Sequence, residues 1–196
     1  MTVRWPPDEQ WIAHARNRTD FLEQVIPKHS VGAELGVYCG DFTRILLDVV
    51  QPTTLHLVDL WELLAPTWEH WGIQGPTTSE ALTGVCQRYA PEIVTGQVQV
   101  HEADDLLWLA GLEDNSLDWC YIDTAHTYEH CSAELPIAAQ KVKPGGIICG
   151  DDWTGDPDHP HHGVYVAVHD FITRHPYELI YSADNNDGQW AIQQNI

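Results

Sequence analysis

An alternation constrains this chain more than any other feature. Short apolar runs, several closing on a carboxylate, take turns with stretches of helical spacing. "VGAEL" from Val31 to Leu35, "TTLHLVDLW" with its strand ending at Asp59, "GQVQVHEAD", "SLDWCYID" ending at Asp123, and "GIICG" read as five strands. "FTRILLDVV", the stretch from Ser79 to Tyr89, the short run Leu106 to Leu109 and "TYEHCSAELPIAAQKVKPGG" read as helices between them. The last carries Lys141 and Lys143 near its end, and Pro-Gly-Gly stops it. A further helix in "HGVYVAVHDFITRH" and two strands around an Asn-Asn-Asp-Gly turn complete the pattern. Asp20 reads as the N-cap of a short leading helix, with Glu23 as its capping-box partner and Pro27 closing it. Residues 62–78, broken by Pro and Gly, read as a loop or interrupted helix. Strands alternating with helices predict an α/β protein: a doubly wound, mostly parallel seven-stranded sheet with helices on both faces. Residues 1–30 form an N-terminal helical extension in this reading, and 31–196 the main domain.

Charge narrows the partners. With 29 acidic residues against 9 basic, the net charge is −20. Such a chain repels phosphate backbones and anionic lipid, so nucleic acid and membrane are poor partners. No apolar run approaches the ~20 residues that span a bilayer, and the first residues lack a signal-peptide core. A cytoplasmic protein is expected. The five cysteines (Cys39, Cys86, Cys120, Cys131, Cys149) are odd in number and show no CxxC pair. They read as small hydrophobes and not as a disulfide or zinc framework.

Ligands of open α/β sheets bind beyond the carboxyl ends of the strands. Glu34, Asp59, Asp104, Asp123, Asp151 and Asp152 all fall there. "ELGVYCGDFT" places Gly36 and Gly40 in a strand-to-helix turn, where glycine permits a sharp bend and close backbone approach. The spacing is GxxxG, not the GxGxxG of nicotinamide enzymes, which weakens a reductase reading. Asp59, ending the next strand, can accept two hydrogen bonds from a ribose diol.

"VGAELGVYCGDFT", "LHLVDLWE" and "SLDWCYIDTAHTYEH…KVKPGGIICGDDW" resemble the class I S-adenosylmethionine-dependent methyltransferases. Within them the chain is similar to the small metal-dependent O-methyltransferases that act on sugar hydroxyls of macrolides and related natural products. The resemblance runs from about Val31 to Ile172 and implies a Rossmann-like methyltransferase fold. It implies that Glu34, Gly36, Tyr38 and Gly40, with Thr43 behind them, cradle the methionine part of S-adenosylmethionine. Asp59 would hold the ribose hydroxyls and Asp104 would sit near the adenine, a place for which "HEADD" also offers Asp105 and Glu102. Asp104 reads equally well as the N-cap of the helix through "LLWLA". The family often oligomerises, so a homo-oligomer is allowed.

Asp123 and Asp151 end neighbouring strands in this topology, roughly 4.8 Å apart. Asp123, Asp151 and Asp152 should therefore converge. Three carboxylates in a partly dry cleft need cations, and no Arg or Lys lies near these motifs in sequence. An all-oxygen set suits Mg²⁺ or another hard divalent ion. An Asp-Asp pair that merely binds loop amides is the alternative. His126, three residues after Asp123, is the candidate general base, a role the resemblance supports. The expected activity is metal-assisted methyl transfer to a hydroxyl of a small molecule, such as a sugar or polyol-like metabolite. A non-catalytic S-adenosylmethionine-binding module is the alternative. His159, His161 and His162 sit in a Pro-containing loop that reads as solvated, although it follows Asp152 and could gate the site. Trp61, Trp68 and Trp71 read either as core or as a lid.

Overall fold

The computed structural model describes residues 18–61, 69–70, 73–74, 78–183 and 188–195. In chain order they form α1 (18–25), β1 (Val31–Leu35), α2 (Asp41–Val49), β2 (Thr54–Asp59), β3 (Glu69–His70), β4 (Ile73–Gln74), α3 (Thr78–Arg88) and α4 (Ala90–Thr95). There follow β5 (Val98–Glu102), α5 (Asp105–Gly111), β6 (Leu117–Ile122), α6 (Tyr128–Lys141), β7 (Val142–Trp153), α7 (His162–Arg174), β8 (Tyr177–Ser182) and β9 (Gly188–Gln194).

Side-chain alternation along the strands decides the layers. On β6, Trp119 and Tyr121 enter one apolar cluster, while Cys120 and Ile122 enter another. A strand apolar on both sides has to be covered on both. The first cluster joins Leu55 and Leu57 of β2 to Phe21 and Leu22 of α1, Leu46 of α2 and Val85 of α3. The second joins Ala33 and Leu35 of β1 to Leu109 of α5, Leu135 of α6 and Val168 of α7. The result is the expected doubly wound sheet. It has seven strands in the order β5-β2-β1-β6-β7-β9-β8. The first five are parallel, and β9 runs antiparallel to both β7 and β8.

Strand order reverses at β1. The chain builds outward to β2 and β5, then crosses back to place β6 on the other side of β1. The crevice beyond the ends of β1 and β6 is thus the switch point where such sheets bind ligands.

Several local expectations change. Asp20 is not an N-cap: residues 18–20 are already helical, and Gln24 Nε2 donates to the Asp20 carbonyl within the helix. The helix read as ending at Tyr89 ends at Arg88, and Pro91 opens the separate α4. Proline fits only the first turn of a helix, so the chain restarts there. β7 is longer than "GIICG", because Val142 already pairs with Leu117. Asp151 and Asp152 therefore lie within the strand. Trp61 is core, 1% exposed, with its indole N–H donating to the Tyr38 carbonyl at 2.9 Å. Trp68, Trp71 and the Asn-Asn-Asp turn lie outside the described residues. Among the described residues no helix is long and apolar enough to cross a membrane. All five cysteines are free; Cys120, Cys131 and Cys149 are buried, and Cys86 is exposed.

Candidate active site

The turn after β1 supplies one wall of the crevice. Gly36 has φ +83°, and a Cβ there would stand 1.8 Å from the Asp123 carbonyl oxygen. The Asp123 amide in turn donates to the Leu35 carbonyl at 2.9 Å. The loops after β1 and β6 therefore touch through backbone, an approach open only to glycine. Tyr38 (φ +47°) and Gly40 (φ +73°) also adopt left-handed backbone, which curls the turn. The Tyr89 hydroxyl donates to the Gly40 carbonyl and holds the turn from the junction of α3 and α4.

Asp59 faces this turn from the end of β2. Its Oδ2 accepts the Val37 and Tyr38 amides, each at 2.8 Å, and its Oδ1 accepts the Trp61 amide at 2.9 Å. Oδ1 keeps a further lone pair, so the carboxylate orders the turn and still has capacity for a hydroxyl. Beneath the turn, the Thr43 hydroxyl donates to Glu34 Oε2 at 2.7 Å, and both residues are buried. Burial pushes the Glu34 carboxyl up to about 8, with the Thr43 hydroxyl opposing the shift. Glu34 is thus protonated at neutral pH in the free protein. A value raised above the unfolded 4.5 costs nothing below that pH, and stability falls as pH rises from 4.5 through 8. Glu34→Gln should flatten that limb of the stability–pH curve in urea unfolding. An unchanged slope would assign the titration to another group. Asp104 caps α5, accepting the Leu107 amide at 2.9 Å, so the capping alternative is realised.

The second wall is built by β6, β7 and what they attract. Pairing of β7 with β9 shifts register between Gly150 and Trp153, and Asp152 has φ +62°. Neighbouring residues of a regular strand point to opposite faces, and a bulge re-aims them. Asp151 and Asp152 both stay buried, at 5% and 6% exposure, and with Asp123 and His126 they line one cavity. All three aspartates thus line the same cavity.

Their charge is met by groups remote in sequence. Arg18 of α1 forms an ion pair with Asp151 and lies 3.7 Å from Asp123 Oδ2. Its guanidinium stacks on Phe42, 4.7 Å from the ring centroid. Burial alone would lower the Arg18 pKa, but Tyr121, Asp123, Asp152 and Glu34, which are all anionic at the high pH where arginine titrates, outweigh it and hold it above the usual value. On its other side Asp151 accepts from the Gln189 amide, and Gln189 accepts from the Tyr121 hydroxyl. Asp152 is held between two imidazoles. His126 Nδ1 contacts its Oδ2, and His161 Nδ1 its Oδ1 at 2.6 Å. Burial pushes the Asp152 carboxyl up, but His126 and His161 prevail and keep it below the ordinary carboxylate range. His126 Nε2 points the other way, 4.0 Å from Asp123 Oδ1.

Arg18, His161 and Gln189 are site residues that reasoning from sequence missed. The only signal was the position of the His159–His162 loop just after Asp152. His161 is a partner of Asp152, and the reading of this loop as merely solvated is corrected for that residue.

Among the described residues, four of the seven non-glycine residues with positive φ (Tyr38, Trp61, His126 and Asp152) flank these strand ends. Backbone strain concentrated at one end of a sheet marks a functional site. Lone pairs remain on the carboxylate oxygens of Asp123, Asp151 and Asp152, but among the described residues these three do not bring one oxygen each within 4.8 Å of the others. His126, Asp152 and His161 by themselves bring three ligand atoms within 4.8 Å of one another.

The family described as "Methyltransferase domain" matches residues 33–153, more than half of the chain. In fold the chain is similar to the N-methyltransferase NodS from Bradyrhizobium japonicum WM9, at 13% identity and TM-score 0.67, with 97% of this chain and 100% of that chain covered. It is also similar to the 1,6-didemethyltoxoflavin-N1-methyltransferase of Burkholderia thailandensis, with 1,6-didemethyltoxoflavin and S-adenosylhomocysteine bound. There the identity is 11% and the TM-score 0.63, over 96% of this chain and 82% of that chain. An rRNA methylase from Streptococcus thermophilus superposes at 11% identity and TM-score 0.60, over the full length of both chains. No curated protein matches the chain. The matched span runs from within β1, through the glycine turn and Asp59, to the last residue of β7, and so takes in both walls of the crevice: this chain belongs to the class I S-adenosylmethionine-dependent methyltransferases.

Proposed function

We propose that this methyltransferase alkylates a hydroxyl of a small, polyhydroxylated metabolite with the help of a hard divalent ion, for which Mg²⁺ fits best. The observation that carries this reading is the gathering of Asp123, Asp151, Asp152 and His126 around one cavity at the switch point of the sheet. S-Adenosylmethionine supplies an already activated methyl group, and the ion supplies a Lewis acid that acidifies a hydroxyl. The remaining work belongs to the protein.

Glu34, Gly36, Tyr38 and Gly40 shape the turn that takes the methionine moiety, and Thr43 keeps Glu34 in place. Asp59 offers its free lone pair to the ribose, and Asp104 borders the adenine end. Asp123, Asp151 and Asp152 hold the ion. His126 is the base. Asp152 engages its Nδ1, which leaves Nε2 as the proton-accepting atom, turned toward Asp123. Holding the nucleophile in line with the methyl group supplies much of the rate.

A net charge of −20 favours a small acceptor over RNA, whose phosphates it would repel, although one structural neighbour is an rRNA methylase. The test is transfer of labelled methyl from S-adenosylmethionine to a panel of sugars, polyols, amines and RNA. Each reaction is run after EDTA treatment and again after Mg²⁺ is restored. Labelling of a hydroxyl compound only with Mg²⁺ is expected. Full activity after EDTA, or label found on nitrogen or RNA alone, would overturn the proposal.

A further inference from the structure

A second group of metal-capable side chains, which the chemistry above does not use, adjoins the active site through Glu134, a residue that also lines the cavity of Asp123, His126, Asp151 and Asp152. His130 and Glu134 stand one turn apart on α6, hence on one face. Asp105, the first residue of α5, meets them across the helix–helix contact. His130 Nε2 lies 2.9 Å from Asp105 Oδ2 and 3.8 Å from Glu134 Oε1. One ligand atom from each of the three falls within 4.8 Å of the others. Asp105 is 6% exposed and Glu134 is fully buried, while His130 keeps a quarter of its side chain open.

Glu134 marks this as more than an acidic cluster. Its Oε1 accepts the Thr124 hydroxyl at 2.8 Å, its Oε2 is buried and accepts from no donor group among the described residues, and its carboxyl lies within hydrogen-bonding reach of the Asp105 carboxyl. An orphaned carboxylate oxygen in the interior is costly. Two buried carboxylates face one imidazole, and the nearby Asp104 adds negative charge. Either a cation or a shared proton has to compensate them.

We propose that Asp105, His130 and Glu134 form a second divalent-cation site, of the zinc class, that clamps α5 to α6. One imidazole nitrogen and two carboxylates suit Zn²⁺, and a tetrahedral ion would retain one position for water. The mixed nitrogen–oxygen set separates this site from the oxygen-rich one proposed for Mg²⁺. Its role is to hold the protein in shape. Glu134 grips Thr124, and Thr124 lies between Asp123 and His126, so an ion here stiffens the loop that carries the base.

The test uses Zn²⁺ and Co²⁺ alone, on full-length protein in which Asp151→Asn and Asp152→Asn remove the other site. A mild competing chelator strips ions from surface histidines. One tightly held equivalent of Zn²⁺ is expected, with a visible Co²⁺ spectrum and a rise in Tm. His130→Gln added to that background should abolish the equivalent. In the otherwise unchanged protein, His130→Gln should lower bound Zn²⁺ by one equivalent, which keeps the test valid if the double variant folds poorly. Glu134→Gln should weaken Zn²⁺ at least tenfold. If the double variant binds no Zn²⁺, if His130→Gln leaves the stoichiometry unchanged, or if Glu134→Gln leaves the affinity unchanged, a shared proton explains the cluster and the site is refuted. None of these readings depends on methyl transfer, so they stand apart from the fate of the Mg²⁺ proposal.

Discussion

His126→Ala is expected to lower kcat by about 10²–10⁴-fold, the usual worth of a positioned general base. Affinity for S-adenosylmethionine, read by titration calorimetry, should stay within about twofold, because the imidazole is held by Asp152 and packs beside His161 on the β6–β7 wall of the crevice. The reasoning is geometric. Left-handed backbone at His126 and at Asp152 brings the two side chains together. Contact at Nδ1 fixes the ring and frees Nε2 toward Asp123, the direction from which a hydroxyl would be presented. The pH profile adds a readout that a purely structural role would not move. The acidic limb of kcat against pH should vanish in His126→Ala, since protonating the base is what extinguishes activity there. A kcat within threefold of wild type, or an unchanged acidic limb, would remove His126 from the chemistry and leave it as a brace for Asp152.

What could be read from sequence, and what could not, divides along a physical line. The alternation of apolar strands and helices depends on residues close in the chain, and it yields the sheet, the switch point and the acidic strand ends. The convergence of Asp123 with Asp151 follows from the same logic, because parallel strands joined by one helix tend to lie side by side. Compensation of that charge was not legible. Scanning the neighbourhood of the motifs finds no cation, yet Arg18 arrives from α1 through the packing of Phe21 and Leu22 on the far face of the sheet. Gln189 comes from β9, a strand with no motif of its own, and reaches Asp151 because β9 pairs with β7. His161 depends on a loop conformation. The register shift at Gly150–Trp153 was equally hidden, since a bulge leaves no fixed spacing in sequence. Local periodicity therefore located the acids, and long-range packing determined what neutralises them.

Arg18→Ala is expected to destabilise the metal-free protein by about 3–5 kcal/mol, the usual cost of removing one partner of a buried ion pair. The charge left behind is Asp151, 5% exposed, with Asp123 close by. Gln189 still donates to Asp151 but brings no positive charge. Some of the loss will be packing, because the guanidinium also covers Phe42. Arg18→Met retains most of that contact and should isolate the electrostatic part. Millimolar Mg²⁺ should then recover a large share of the loss in both variants, since a divalent ion can replace the guanidinium among the carboxylates. Wild type should gain less, because there the ion competes with a cation already in place. Urea unfolding of all three proteins, in EDTA and in Mg²⁺, reads the effect directly. If Mg²⁺ stabilises the variants no more than wild type, the three aspartates are satisfied by hydrogen bonds alone. Arg18 would then be a structural tie between α1 and the sheet, and metal assistance would lose its foundation in this fold.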